Sequence, residues 1–348
     1  MKSHLQTVFL VWVFIGTLLA ACRHKKEAEL VDLPGLQPLQ KVEDNIVQEN
    51  WQFRVKTRSL YNASKFDELE ALANQLRATR ARFGNGSWKI YQFYEALGCR
   101  SDEPETMWQL HETIHEKWDA AKPRSITARV AHADFLIEYA WHARGSGYAD
   151  TVKKEGWRLF GERLGNAKKL LDQSREFEPQ CPMWWDVYMI LARGQSWDWD
   201  DFEKLFQEAK RFEPQFFAFD NQKATYLLPR WHGNPGDWEY AASLEVNRPG
   251  GLGAETYARV VSNISGYYYN VFRESKASWP LTREGFELMR QRYPESLEIL
   301  SSYCRLACLA DDRVTARKLF DELGGRMVSG SWRDQNAFRR CRNWAYSQ

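Results

Sequence analysis

With 348 residues and Lys+Arg 48 against Asp+Glu 46, the chain carries a formal charge of only +2 and is long enough to bury a full core without covalent staples. Near-neutrality excludes the broad basic field that nucleic-acid binding requires, so no nucleic-acid partner is expected. Aromatic residues make up 14%, with 16 Trp, and so many rings demand either packed helix seams or a lined groove.

The chain opens on a short positive start at Lys2 to His4. An apolar run from Val8 to Leu19, too short for a comfortable bilayer span, leads into Leu19-Ala20-Ala21-Cys22. This reads as a lipobox. Residues 1–21 are expected to be a lipoprotein signal peptide, and the Cys22 thiol to accept diacylglycerol and become the acylated first residue. Several acyl chains give stable anchoring, and Arg23, where an Asp would favour inner-membrane retention, points to the outer membrane. The expected location is therefore the bacterial cell envelope, lipid-anchored and facing the periplasm. Residues 22–50, charged and broken by Pro34 and Pro38, are expected to form a flexible linker that spans roughly 80 Å when extended.

Residues 51–348 read as one helical-repeat domain. Phe66, Leu69, Leu72 and Leu76 recur at helical spacing, as do Trp88, Tyr91, Phe93 and Leu97, and again Phe202, Leu205, Phe206 and Ala209. Alternating β-branched runs are nearly absent, so no strand longer than a few residues is expected. Gly84, Gly86, Gly98, Gly145, Gly194 and Gly324, with Pro179, Pro214 and Pro294, punctuate segments of helical length. Phe177-Glu178-Pro179 returns as Phe212-Glu213-Pro214, 35 positions on, close to the period of about 34 for tetratricopeptide (TPR) helix pairs. A last unit runs from Pro294 through Leu300, Cys304 and Ala316 to Phe320. The fold class expected is all-α, a TPR-like helical repeat (α-solenoid) of stacked antiparallel helix pairs, with an irregular α-bundle as its competitor.

Few segments suggest chemistry. His111-Glu112-Thr113-Ile114-His115 fits H-E-x-x-H, in which two His bind zinc and the Glu activates water. A polar Thr113 after the Glu and a charged Glu116 after the second His argue against a buried metal helix. A third ligand is also needed, and Glu138, His132 and His142 are the candidates, none with the right surroundings. The match is taken as a coincidence on a surface helix, so no metal, cofactor or catalytic residue is expected. Pro249-Gly250-Gly251-Leu252-Gly253 reads as an inter-helix loop, lacking the strand and the Gly-Lys-Ser/Thr of a phosphate cradle. Five cysteines follow Cys22: Cys99, Cys181, Cys304, Cys308 and Cys341. In an oxidising compartment a bridge from Cys304 or Cys308 to Cys341 is expected, against the alternative of five small buried hydrophobes.

The densest polar-aromatic segment is Tyr226 to Glu239, in which Arg230, Trp231, Asp237 and Trp238 crowd a Pro/Gly-rich turn. It is either a recognition surface or a turn fastened by Arg230 and Asp237. This segment, with Ala140-Trp141-His142-Ala143-Arg144-Gly145-Ser146-Gly147, Gly156-Trp157-Arg158-Leu159-Phe160 and Cys181-Pro182-Met183-Trp184-Trp185, resembles the bacterial domain-of-unknown-function 4034 family. The resemblance covers 66–238 and leaves 239–348 as a C-terminal helical part. It implies a TPR-like helical protein and carries no catalytic or binding residue.

The function expected from these readings is a membrane-anchored, non-enzymatic scaffold that engages an envelope protein or peptide through a helical-repeat groove. Trp184, Trp185, Arg230, Trp231, Asp237 and Trp238 are the candidate binding surface. Two alternatives stand beside it: a glycan-binding module using exposed Trp such as Trp184, Trp185, Trp197 or Trp199, and a zinc hydrolase at His111, Glu112 and His115.

Overall fold

The computed structural model describes residues 30–145, 147 and 149–347. The signal segment and Cys22 lie outside the described residues. Among those residues the protein is all-α, with sixteen α-helices and only two three-residue strands. No described helix is long and apolar enough to cross a membrane. The described residues divide into two compact units, one formed by residues 48–234 and 248–251, the other by 30–47, 235–247 and 252–347. The division after Asn234 falls close to the end of the 66–238 segment.

The first unit contains most of α1 (Asn45–Asn62), then α2 (Phe66–Thr79), α3 (Lys89–Glu95), α4 (Glu105–Ala121), α5 (Ile126–Arg144), α6 (Lys154–Ser174), α7 (Pro182–Gly194), α8 (Trp199–Phe212) and α9 (Ala218–Tyr226). Its helix starts follow from the side chains at their heads. Ser125 accepts from the Ala128 amide at 3.0 Å and Asp198 from the Asp201 amide at 3.0 Å, each satisfying one otherwise unpaired donor. From α5 onward the helices alternate between two roles: α5 packs on α6, α7 packs on α8, and α7 touches both α5 and α9. The 35-residue recurrence is thus the α7–α8 pair, since Phe177 follows α6 and Phe212 closes α8.

Small residues set how closely the helices of a pair approach. A Cβ at Gly156 would lie 2.8 Å from the Ala143 carbonyl oxygen, so the α5–α6 contact depends on that glycine. Larger residues then fill the seams, and Phe202, Phe206, Phe216 and Phe219 are all fully buried. The Pro214 turn is held by charge. Lys210 reaches the Pro214 carbonyl at 2.7 Å and the Asp220 carboxylate at 2.8 Å, with both side chains almost wholly buried.

The second unit holds α10 (Asp237–Glu245), α11 (Ala254–Ile264), the short α12 (Val271–Glu274), α13 (Trp279–Arg292), α14 (Leu297–Leu309), α15 (Arg313–Leu323) and α16 (Gln335–Tyr346). It also contains β1 (Gln40–Val42), which pairs in parallel with β2 (Arg326–Val328), Gln40 opposite Arg326. Residues 30–44 therefore do not form the free linker expected of 22–50. The Leu30 and Leu33 amides donate to Asn336 and Asn343 at 3.0 and 3.1 Å, and the Arg342 guanidinium donates to the Gln37 carbonyl at 2.7 Å. Backbone groups that a linker would leave to water are taken up by α16 and β2.

The expected bridge to Cys341 is not formed. All five described cysteines are thiols, and Cys308 hydrogen-bonds to both Cys304 and Cys341. Cys304, fully buried, serves as a small core residue. In the same unit α11 and α13 meet at Gly285, where any side chain would collide with the Ala254 carbonyl and the Ala258 methyl. Gly285→Val should therefore destabilise the protein by about 3 kcal/mol, because backbone rather than a flexible side chain blocks the added atoms. Gly161, helical in α6 with nothing within 4 Å of its would-be Cβ, should behave in the opposite way. Gly161→Ala should stabilise by about 0.5–1 kcal/mol, and chemical denaturation of the two variants measures both signs.

Candidate functional site

The H-E-x-x-H residues lie on α4, but the structure uses them as packing. His111 and His115 are buried, 5% and 1% exposed, against Tyr61 of α1 and Phe135 of α5, while Glu112 is half-buried. The His115 ring stacks on Phe135 at 5.0 Å and on His132 at 5.6 Å, and the Tyr61 hydroxyl donates to the His111 carbonyl at 3.2 Å. Burial, and after it the neighbouring Arg58 guanidinium, pushes His111 down to about 4. His115 is lowered further, by burial first and then by His132.

Neither ring nitrogen of His115 makes a hydrogen bond, the one feature that would suit a metal ligand. The rest does not fit. Arg58 Nη1 lies 3.2 and 3.4 Å from the two His111 ring nitrogens, placing a fixed cation where a zinc ion would sit. Each candidate third ligand is engaged elsewhere: His132 with Asp119 at 2.7 Å, His142 with Glu105 at 3.6 Å, and Glu138 with the Cys99 amide at 3.3 Å. Among the described residues no group of three or more His, Cys, Asp and Glu is arranged to hold a metal ion.

The six residues expected to form a binding surface are divided between the two units. Trp184, Trp185, Arg230 and Trp231 belong to the first unit, Asp237 and Trp238 to the second. Trp184 and Trp185 are 4% and 9% exposed, and Trp238 is fully buried, its indole N–H donating to the Tyr268 hydroxyl at 3.2 Å. Trp184 donates to the Leu171 carbonyl at 3.0 Å, and Trp185 stacks on Phe212 at 4.4 Å. Trp238, wholly enclosed, has no face to offer a sugar. Trp184 and Trp185 do line an open pocket of ≈ 190 Å³ beside Phe177 and Gln180. Trp231 meets Trp141 edge-on at 5.7 Å, and Arg230 and Asp237 both make further interactions in their own surroundings. Of the rings considered for glycan stacking, Trp197 is half-buried and Trp199 is 41% exposed.

A different set of side chains converges where α3 and α5 both pack against α7. α5 is apolar on nearly every side, with Val130, Ala133, Phe135 and Ile137 buried, yet it carries Asp134 and Glu138 one turn apart. Asp186 interrupts an equally apolar α7, and Glu95 ends α3 one turn after Tyr91. The charges acting on Asp134 are those of Glu138, Glu95 and Asp186, so all three lie within electrostatic reach of it. Tyr91 closes the set, its hydroxyl hydrogen-bonded to Glu95. Glu95, Asp134, Glu138 and Tyr91 are half-buried while Asp186 is 1% exposed, so this acidic recess runs from partly solvated groups to a dry one at Asp186.

The nearby cations leave this acidity largely uncompensated. Arg58 donates to the Gly98 carbonyl, and Arg54 to the Glu95 carbonyl at 3.3 Å. Gly98 has to be glycine, since a Cβ there would run into the Glu138 carboxylate. Arg193 donates to the Gln222 side-chain oxygen at 3.1 Å. Gln222 lies beside Asp186 and eases its charge, but in a geometry that completes no hydrogen bond to either carboxylate oxygen. Burial therefore pushes Asp186 up to about 7, and burial followed by the Glu95 charge pushes Glu138 up to about 8. Asp134 is raised well above the usual carboxylate range, by burial first and then by Glu138. Sequence reasoning named Glu138, as a metal ligand, and missed the other three acids. The available signal was an acid standing alone inside an apolar helical run.

These shifts fix a pH dependence. A carboxyl whose folded pKa is raised stabilises the fold when protonated, and that contribution is lost as pH rises through about 7 for Asp186 and about 8 for Glu138. At pH 6.5, the ordinary histidine value, the depressed His111 and His115 are neutral in the fold but half-protonated when unfolded, so up to about pH 7.5 they offset part of this loss. The melting temperature should therefore fall by roughly 2–4 °C between pH 6.5 and 8.5. In an Asp186→Asn/Glu138→Gln double variant that slope should largely vanish, as scanning calorimetry at the two pH values would show.

No family model, curated protein or solved structure matches this chain.

Proposed function

We propose that the chain is a non-enzymatic, TPR-like binding scaffold, anchored at the cell envelope through lipid on Cys22, that engages a protein or peptide along the face shared by α3, α5 and α7. The lipid anchor rests on the lipobox alone. The observation that carries the binding face is an asymmetry of charge between alternate helices. On α6 the surface charges are satisfied within the helix, Arg158 by Glu155 at 2.7 Å and Glu162 at 2.6 Å, and Lys168 by Asp172 at 2.7 Å. On α5, Asp134 instead has the acids Glu138, Glu95 and Asp186 acting on it, and on α7 Gln222 and Arg193 only partly ease the buried Asp186. A face whose charges are incompletely compensated has binding energy to give to something outside.

Site-specific photo-crosslinking in cells tests this directly. A photo-reactive residue at Gln222, half-buried on α9 beside Asp186, should give discrete adducts. The same residue at Gly161, exposed on α6, should give none. Asp134→Asn should cut the Gln222 adduct about tenfold, a loss of about 1.4 kcal/mol. Indistinguishable adduct patterns from the two positions would remove the case for a binding face.

A further inference from the structure

The acidic recess also constrains the chemistry of what it holds. Resting on the scaffold reading, we propose that its occupant presents a cationic group, an ammonium or a guanidinium, that enters between α3, α5 and α7 and is received by Asp134 and Asp186. The strongest observation is Asp186 itself, 1% exposed with neither carboxylate oxygen hydrogen-bonded. A buried carboxylate without a partner is costly, and the remedies are a proton, a metal or an organic cation. Among the described residues no group of three or more ligating side chains is drawn together for a metal ion. An anion would meet four carboxyls, from Glu95, Asp134, Glu138 and Asp186.

The protein's own cations only partly compensate the acids. Arg54 and Arg58 ease Glu138 while donating to the carbonyls of Glu95 and Gly98, and Arg193 eases Asp186 while donating to Gln222. Nothing cationic acts on Asp134, whose neighbours are Glu138, Glu95 and Asp186. The Tyr91 hydroxyl, hydrogen-bonded to Glu95, adds one more polar group beside the acids. Such a group could be a lysine or arginine of a peptide, or a free polyamine.

The test is titration calorimetry on the full chain in detergent at pH 8 and low salt, with hexalysine, spermidine, hexaglutamate and an uncharged Gly-Ser hexapeptide as probes. One hexalysine should bind per chain, hexaglutamate and the Gly-Ser peptide should not, and Asp186→Asn or Asp134→Asn should each weaken binding at least tenfold. Asp200→Asn and Glu116→Gln, acids exposed on α8 and α4, should leave it unchanged. Folding is checked independently, since Asp186→Asn removes an unpaired buried charge and should melt no lower than the parent. Spermidine binding without hexalysine binding supports the cationic site and assigns it to a free amine. Equal weakening by all four variants reduces the effect to surface charge and overturns the proposal. If no cation binds while the Gln222 crosslink persists, the occupant is not cationic and the scaffold reading survives; if both are lost, the scaffold reading fails with it.

Discussion

The first unit depends on the enclosure of α5. Twelve of its 19 residues are buried, because α4, α6 and α7 pack on three of its sides. A helix covered all round must be apolar all round, and α5 very nearly is. Where it is not, its polar side chains have to find partners on the covering helices or remain unsatisfied. His132 solves this on the α4 side by pairing with Asp119, which Arg129 also reaches at 3.1 Å. Of the two acids of α5, Glu138 accepts from the Cys99 amide at 3.3 Å, whereas the charges acting on Asp134 are those of other carboxyls. The same enclosure that makes α5 the centre of the packing makes its acids the unusual feature of the unit.

The abundance of tryptophan has a packing explanation. Trp108 is fully buried between α4 and α5, stacked on Tyr139 at 5.1 Å and His142 at 4.5 Å, and Trp118 is fully buried against Phe66 at 5.5 Å. Each buries a large apolar area with few torsions to freeze, which suits seams between helices joined by short turns. Not every indole is used this way, since Trp51, Trp157 and Trp199 are exposed.

Much of the fold could be read from residue spacing. The stripe at Phe202, Leu205, Phe206 and Ala209 is the buried face of α8, and Leu69 and Leu76 are buried on α2. The 35-residue recurrence marks a real helix pair, since proline-terminated turns are local features that local patterns reveal. What spacing could not show was which partner covers a face. His111 and His115 have the i,i+4 spacing of a metal pair and equally that of a core stripe, and only Tyr61 and Phe135, far off in sequence, decide between them. Residues 30–44 look like a linker by composition, yet Asp32 sits 3.5 Å from Arg342 and β1 finds its partner near the other end of the chain. Long-range pairing leaves no trace in a single sequence. For the recess the trace was present but misread: Asp134 and Glu138 mark one helix face, and their meaning comes from Asp186 and Glu95 on other helices.

The energetics of the recess link stability to recognition. Holding Asp186 charged without a hydrogen bond costs free energy that an asparagine or an apolar residue at that position would not incur. With Asp186 near 7 and Glu138 near 8, the fold answers near neutrality by taking up protons, so the empty recess is partly neutral rather than fully charged. A proton is a weak occupant at this pH because it is scarce in solution. A cationic side chain that reaches Asp134 and Asp186 would displace it, restore the full negative charge and turn a destabilising element of the free protein into an attractive one in the complex. The cost is borne by the unliganded state, which sharpens discrimination, since a neutral or anionic ligand releases no proton and relieves none of the strain between like charges.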